Sequence, residues 1–118
     1  PSGGPLVQHS LVAMLDLFHD GLISLEKIVE KMCHNPAKLF RIKKRGFIKE
    51  GYYADLTILD LNKSWTVSKE NILYKCGWSP FNGVEFKGTP VFTIINGKVK
   101  MENGKILISI NWVLSIIK

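Results

Sequence analysis

An α/β fold is predicted by three features of this 118-residue chain. Apolar residues recur at helical spacing through its first third, strand-like apolar runs follow, and an Asn96-Gly97 pair stands between two of those runs. The length suits one modest domain with a real core. At 46% apolar and 22% charged residues, the chain has the make-up of an ordinary globular protein and is too apolar for a disordered tail.

The opening residues Pro1, Ser2, Gly3, Gly4 and Pro5 form a loop, because two prolines remove backbone donors and fix φ. A helix is predicted over residues 6–19. Leu11, Met14, Leu15 and Phe18 mark its inner stripe, and Val7, Val12 and Leu17 broaden it. Asp20-Gly21 ends that helix, with Gly21 suited to the left-handed cap position. Ser24 is placed to cap a second helix, with Glu26 in its first turn and Leu25, Ile28, Val29, Met32 and Cys33 on one face. Asn35 then caps a short third helix that has Pro36 at its first position and turns Ala37, Leu39 and Phe40 inward.

From Gly46 the pattern becomes β. Phe47-Ile48 is followed by a turn at residues 49–51 and a strand over 54–61. Leu56 and Ile58 lie on one face of that strand, and Leu59 and Leu61 on the other. Apolar residues on both faces predict a strand covered on both sides. Residues 90–95 and 98–101 form a hairpin across Asn96-Gly97, and Asn103-Gly104 makes a further turn. The apolar stretch from Ile106 to Ile117 is far short of the roughly 20 residues a membrane helix needs, so it reads as terminal strand. No membrane partner is expected.

The formal charge of +6 comes from scattered basic residues and one run, Arg41, Lys43, Lys44 and Arg45. A solvated loop accounts for that run, and no nucleic-acid partner is expected. Cys33 and Cys76 fit no zinc-finger spacing and read as reduced thiols of a cytoplasmic protein. A start at Pro1 points to a piece of a longer chain, and nothing at that start has the basic-then-apolar layout of a signal peptide.

Catalytic residues are not found. His9, His19 and His34 form no H-x-H or H-E-x-x-H pair, so each reads as a structural or surface residue. Asp16 and Asp20 share a helix face but lack a third ligand, and Asp55 and Asp60 flank a strand. The remaining candidate is the loop at Ser2, Gly3 and Gly4, which could present backbone N–H groups to an anion or polar ligand.

Several runs together resemble the dihydroorotases of the amidohydrolase superfamily. Residues 1–11 are similar to the segment that follows the last metal-binding motif in those enzymes. Asn35, Pro36, Ala37 and Phe40 match the superfamily's N-P-A-x-x-F signature. Gly46, Ile48, Gly51, Ala54, Asp55, Leu56 and Asp60 match its G-x-I-x-x-G-x-x-A-D-L-x-x-x-D run. Ser79, Pro80, Phe81 and Gly83 resemble the dihydroorotase S-P-F-x-G turn, and Val91 to Gly97 a strand near the end. After Gly104 the apolar tail departs from the polar, glycine-containing end usual in the family.

The resemblance implies that residues 1–40 are the terminal helical part of a metal-dependent hydrolase TIM barrel, and 41–118 the C-terminal part of the adjoining small β-sandwich domain. It implies substrate contact by the backbone of Ser2 and Gly3, and a zinc-dependent cyclic amide hydrolysis interconverting N-carbamoyl-L-aspartate and dihydroorotate. The zinc ligands and the catalytic aspartate would lie before Pro1, leaving this stretch without metal and inactive alone. A homodimer of the longer enzyme is a further implication. A hydantoinase, an allantoinase or a non-catalytic assembly subunit is the alternative.

Overall fold

The computed structural model describes residues 3–107. Ser2 and all but the first two residues of the predicted terminal strand lie outside the described residues. Two compact units are present, one built from Pro1–Leu25 and Asp60–Thr89, the other from Glu26–Leu59 and Pro90–Lys118.

In the first unit a single turn of 3₁₀ helix, Val7–His9, leads into helix α1, Ser10–His19. Val12 and Leu15 point inward and are essentially solvent-free. Val12 joins Val67 and Phe86 in an apolar core flanked by Ala13, Trp65 and Phe81. Gly21, at φ 74°, closes α1 as predicted. Its N–H bonds Phe18 O while Leu22 N bonds Leu17 O, the pair of bonds that satisfies a helix's last carbonyls. On the solvent side of α1, Asp16 accepts the Lys87 backbone N–H at 3.0 Å, and the exposed Asp20 faces the exposed Lys87 ammonium at 3.7 Å.

The second unit holds helix α2, Leu25–Val29, a π-helical turn, Glu30–His34, and helix α3, Asn35–Leu39. The predicted short third helix is present with Pro36 in its first turn, but Asn35 does not cap it. Both His34 and Asn35 keep right-handed helical angles, without a side-chain cap. Proline inside a helix removes one donor and crowds the carbonyl four residues back. The π turn just before Pro36 widens the helix there, with Asn35 N bonded to Glu30 O five residues back, so the chain continues without a break. Of the residues predicted to face inward, Ile28 and Ala37 are buried, whereas Leu39 and Phe40 are about three-quarters exposed.

Arg41, at φ 53°, ends α3 through the same paired bonds that close α1. Phe47 and Ile48 are not a strand. Gly46, at φ 80°, turns the chain back against α3, and Phe47 stacks on His34 with ring centroids 4.2 Å apart.

The strands β1 (Leu56–Asp60), β4 (Thr89–Ile95), β5 (Lys98–Glu102) and β6 (Lys105–Ile106) form one sheet in the order β1-β4-β5-β6. A separate antiparallel pair, β2 (Trp65–Thr66) and β3 (Glu85–Phe86), belongs to the first unit. The β4–β5 hairpin turns at Asn96 and Gly97, at φ 53° and 75°, the paired left-handed residues a tight hairpin requires. The expectation that β1 is covered on both faces fails, since Ile58 remains 45% exposed.

Arg45 is not part of a solvated run. Its guanidinium pairs with Asp55, donates to Asn96 Oδ1 at 2.8 Å and lies 4.2 Å over the Tyr53 ring. Asp55 also accepts the Asn96 backbone N–H at 2.8 Å, while Gly97 N bonds Ala54 O. The A-D-L segment is thereby tied to the hairpin turn. The Asn96 N–H first, and Arg45 second, hold the Asp55 carboxyl below its ordinary value of 3.8. A carboxylate depressed in the fold contributes stability that is complete above 3.8 and is lost as pH falls through the folded value. Asp55→Asn is therefore expected to lower the thermal midpoint at neutral pH and to flatten the acid limb of the stability–pH curve.

Candidate functional site

The loop before α1 is exposed at Gly3 and Gly4. Gly3 is the predicted contact residue that the structure describes. Its φ is not left-handed, and among the described residues a Cβ built there would meet nothing within 4 Å. A Cβ at Gly4 would make ordinary contact with the Leu6 side chain. The described fold therefore gives no reason for glycine at position 3. What glycine does provide is main chain open to close approach from outside.

From this loop a short series of bonds runs inward. Leu6 N bonds Gly4 O, and His9 N bonds Leu6 O, both at 3.0 Å. The next two side chains are held firmly. Gln8 Nε2 donates to Asn71 O and Gln8 Oε1 accepts from Leu73 N, each at 2.8 Å. His9 is fully buried in a cage formed by Trp65, Tyr74, Phe81 and Phe86, with ring centroids 5.9 to 6.4 Å away.

His9 Nδ1 lies 3.2 Å from Ser79 Oγ. Ser79 Oγ also accepts the Phe81 N–H at 3.1 Å, so one hydroxyl ties the His9 ring to the following backbone. Neither Nε2 nor the buried Tyr74 hydroxyl has a partner among the described residues. Burial without a counter-charge pushes the His9 pKa below 6.5, so the ring is neutral at pH 7. A serine bonded to a histidine invites comparison with a nucleophile and its base. Here both are sealed, at 0% and 6% exposure, and among the described residues the ring's hydrogen-bond partner is Ser79 and not a carboxylate. The pair is structural.

His19 bonds Leu61 O at 2.7 Å, and His34 stacks on Phe47. Among the described residues no three His, Cys, Asp or Glu side chains converge as a metal would require. Cys33 and Cys76 are exposed free thiols. No helix of the described residues is long and apolar enough to cross a membrane. Sequence reasoning missed the roles of Gln8, Tyr74 and Ser79. The available signal was a polar Gln8-His9 pair inside the apolar run from Leu6 to Leu11.

Comparison with known proteins places these features in context. Residues 6–100 match the profile described as "Amidohydrolase family". The dihydroorotase of Pyrococcus furiosus is 42% identical over 106 residues, covering 90% of this chain and 25% of that enzyme. The dihydroorotase of Endomicrobium trichonymphae is 46% identical over 71% of the chain and 20% of its own length. Among solved structures, an L-hydantoinase (dihydropyrimidinase) from Arthrobacter aurescens superimposes with a TM-score of 0.83 at 38% identity. It matches 91% of this chain and 24% of its own. The chain thus spans about a quarter of the length of the relatives it matches.

Proposed function

Because the chain belongs to the amidohydrolase family, we propose that it is one part of a cyclic amide hydrolase and, within that class, of a dihydroorotase. The observation that carries this reading is the extent of the likeness to dihydroorotases, 42% identity across 90% of the chain. The full-length enzyme would interconvert N-carbamoyl-L-aspartate and dihydroorotate. In this division of labour the loop at Ser2 and Gly3 approaches the substrate ring with its backbone, and the chemistry belongs to residues elsewhere in the longer chain.

The described residues do not fit a metal centre, since His9 is caged, His19 holds a carbonyl and His34 is stacked. No step is routed through a metal by this chain; zinc, if the full-length enzyme uses it, is held by other segments. The uncovered apolar residues, Val7 at 92% and Ile48 at 87% exposure among them, suit faces that those segments pack against.

A second reading, hydantoinase, is favoured by the TM-score of 0.83 with the Arthrobacter enzyme. Steady-state assays of the full-length protein on dihydroorotate and on hydantoin separate the two. A higher kcat/KM on dihydroorotate is expected; preference for hydantoin would support the second reading, and turnover of neither would remove both.

Gly3→Ala tests the loop. The methyl group meets no neighbour and strains no torsion, so the thermal midpoint should stay unchanged. If the backbone contacts the substrate, the added methyl should obstruct that close approach and raise KM for dihydroorotate about tenfold, with kcat preserved. An unaltered KM would remove Gly3 from the substrate site.

A further inference from the structure

We propose that Gln8 and His9 are positioning residues: they hold the Gly3–Gly4 loop in the place where it meets substrate. The proposal rests on the dihydroorotase reading for the identity of the substrate, but its mechanical part stands on this structure alone.

Three observations carry it. First, the Gln8 side chain uses both ends of its amide on one distant segment, giving a hydrogen to Asn71 O and taking one from Leu73 N, both at 2.8 Å. Glutamine is suited to such a clamp because it offers a donor and an acceptor on one rigid plane. Second, the adjacent His9 is fully buried and joined to Ser79, so two consecutive side chains grip residues 71–79 from one backbone position. A histidine whose only task was to fill space would be replaceable by phenylalanine, yet its Nδ1 is committed to a hydroxyl that is itself fixed by the Phe81 N–H. Third, this grip reaches the loop through backbone bonds that leave little slack: His9 N to Leu6 O, then Leu6 N to Gly4 O. The exposed glycines are thus two backbone hydrogen bonds away from a buried anchor.

Elsewhere the loop has little to hold it. Gly3 and Gly4 are exposed, Val7 is 92% exposed, and among the described residues beyond its chain neighbours nothing lies within 4 Å of an ideal Cβ at Gly3. A glycine-containing segment loses much conformational freedom when ordered. Fixing it before substrate arrives removes that cost from the binding step. Neither Gln8 nor His9 needs to touch the substrate for this effect.

The test uses the full-length protein with two independent readouts: dihydroorotate kinetics and hydrogen exchange of the peptide covering residues 3–9. Gln8→Met keeps the side-chain length and removes both bonds; Gln8→Glu keeps the acceptor for Leu73 N and removes the donor to Asn71 O. Ser79→Ala releases His9 without opening its cage. In Gln8→Met we expect amide exchange of residues 3–9 to quicken about tenfold and KM to rise about tenfold while kcat changes little, with Gln8→Glu in between. A purely structural role would reduce the folded, active fraction, so apparent kcat would fall at constant KM; that pattern, or unchanged exchange in both Gln8→Met and Ser79→Ala, overturns the proposal. Should the wild-type protein turn over no dihydroorotate, the functional reading fails, while the exchange rates still decide whether Gln8 and His9 anchor the loop.

Discussion

Gly46→Ala is expected to destabilise the unit containing residues 26–59 by about 3 kcal/mol, from a left-handed torsion of ~1–2 kcal/mol and a steric cost of ~1–3 kcal/mol. Gly46 sits at φ 80°, and a Cβ there would stand 2.5 Å from Ala37 Cβ and 2.9 Å from Cys33 O. Neither neighbour can swing aside, because one is a methyl group fixed on α3 and the other is helix backbone. Gly51 supplies the control. Its φ is 81°, yet nothing lies within 4 Å of its ideal Cβ, so Gly51→Ala should cost only the torsional part. Urea unfolding of the two variants measures the difference. Equal losses would mean that Gly46 does not lie against α3 as described.

His9→Ala is expected to cost about 3 kcal/mol or more, since truncating a buried ring leaves a cavity. The ring fills the space between Trp65, Tyr74, Phe81 and Phe86, and its loss strands the Ser79 hydroxyl. A second signature separates His9 from a mere space-filler. Burial depresses its pKa below 6.5, so as pH falls through 6.5 the unfolded chain takes up a proton that the folded chain refuses. Stability is therefore complete above pH 6.5 and declines below it, by at most about 1.4 kcal/mol per pH unit, until the folded pKa is reached. His9→Leu, which keeps most of the volume, should lose that component. Identical stability–pH curves for wild type and His9→Leu between pH 4 and 7 would show, to within about 1 kcal/mol, that the ring protonates freely in the fold.

What could be read in the sequence was chiefly what a few neighbouring residues decide. Asn96-Gly97 and Asn103-Gly104 both adopt the left-handed pair that their dipeptides favour, and Gly21 closes α1 where glycine at a helix end belongs. The helical spacing marked Val12 and Leu15, which are buried, but also Val7 and Leu17, which are exposed. Where a distant segment decides, local pattern misled. Phe47 has the look of a strand residue, but His34 offers its ring a partner thirteen positions earlier, and Gly46 turns the chain toward it. Asn35-Pro36 has the look of a helix start, but a π turn absorbed the proline instead.

The candidate site divides along the same line. Ser2 and Gly3 drew notice through local loop chemistry and through resemblance, whereas the anchor did not. His9 is enclosed by residues 65–86, and Gln8 is clamped by Asn71 and Leu73; no spacing within residues 1–20 announces those partners. Arg45 shows the reverse error. Its place in a basic run suggested a solvated loop, but Asp55 and Asn96 give its guanidinium fixed acceptors.

Ring opening of dihydroorotate should be followed with the full-length protein and with the 118-residue chain side by side, both freed of metal and then resupplied with zinc. Turnover by the full-length protein and none by the shorter chain is the expected result, because the proposed reading gives this chain a substrate loop and its anchor and assigns the activation of water to residues elsewhere. Hydrolysis by the 118-residue chain alone would contradict the assignment of the reaction to residues outside it.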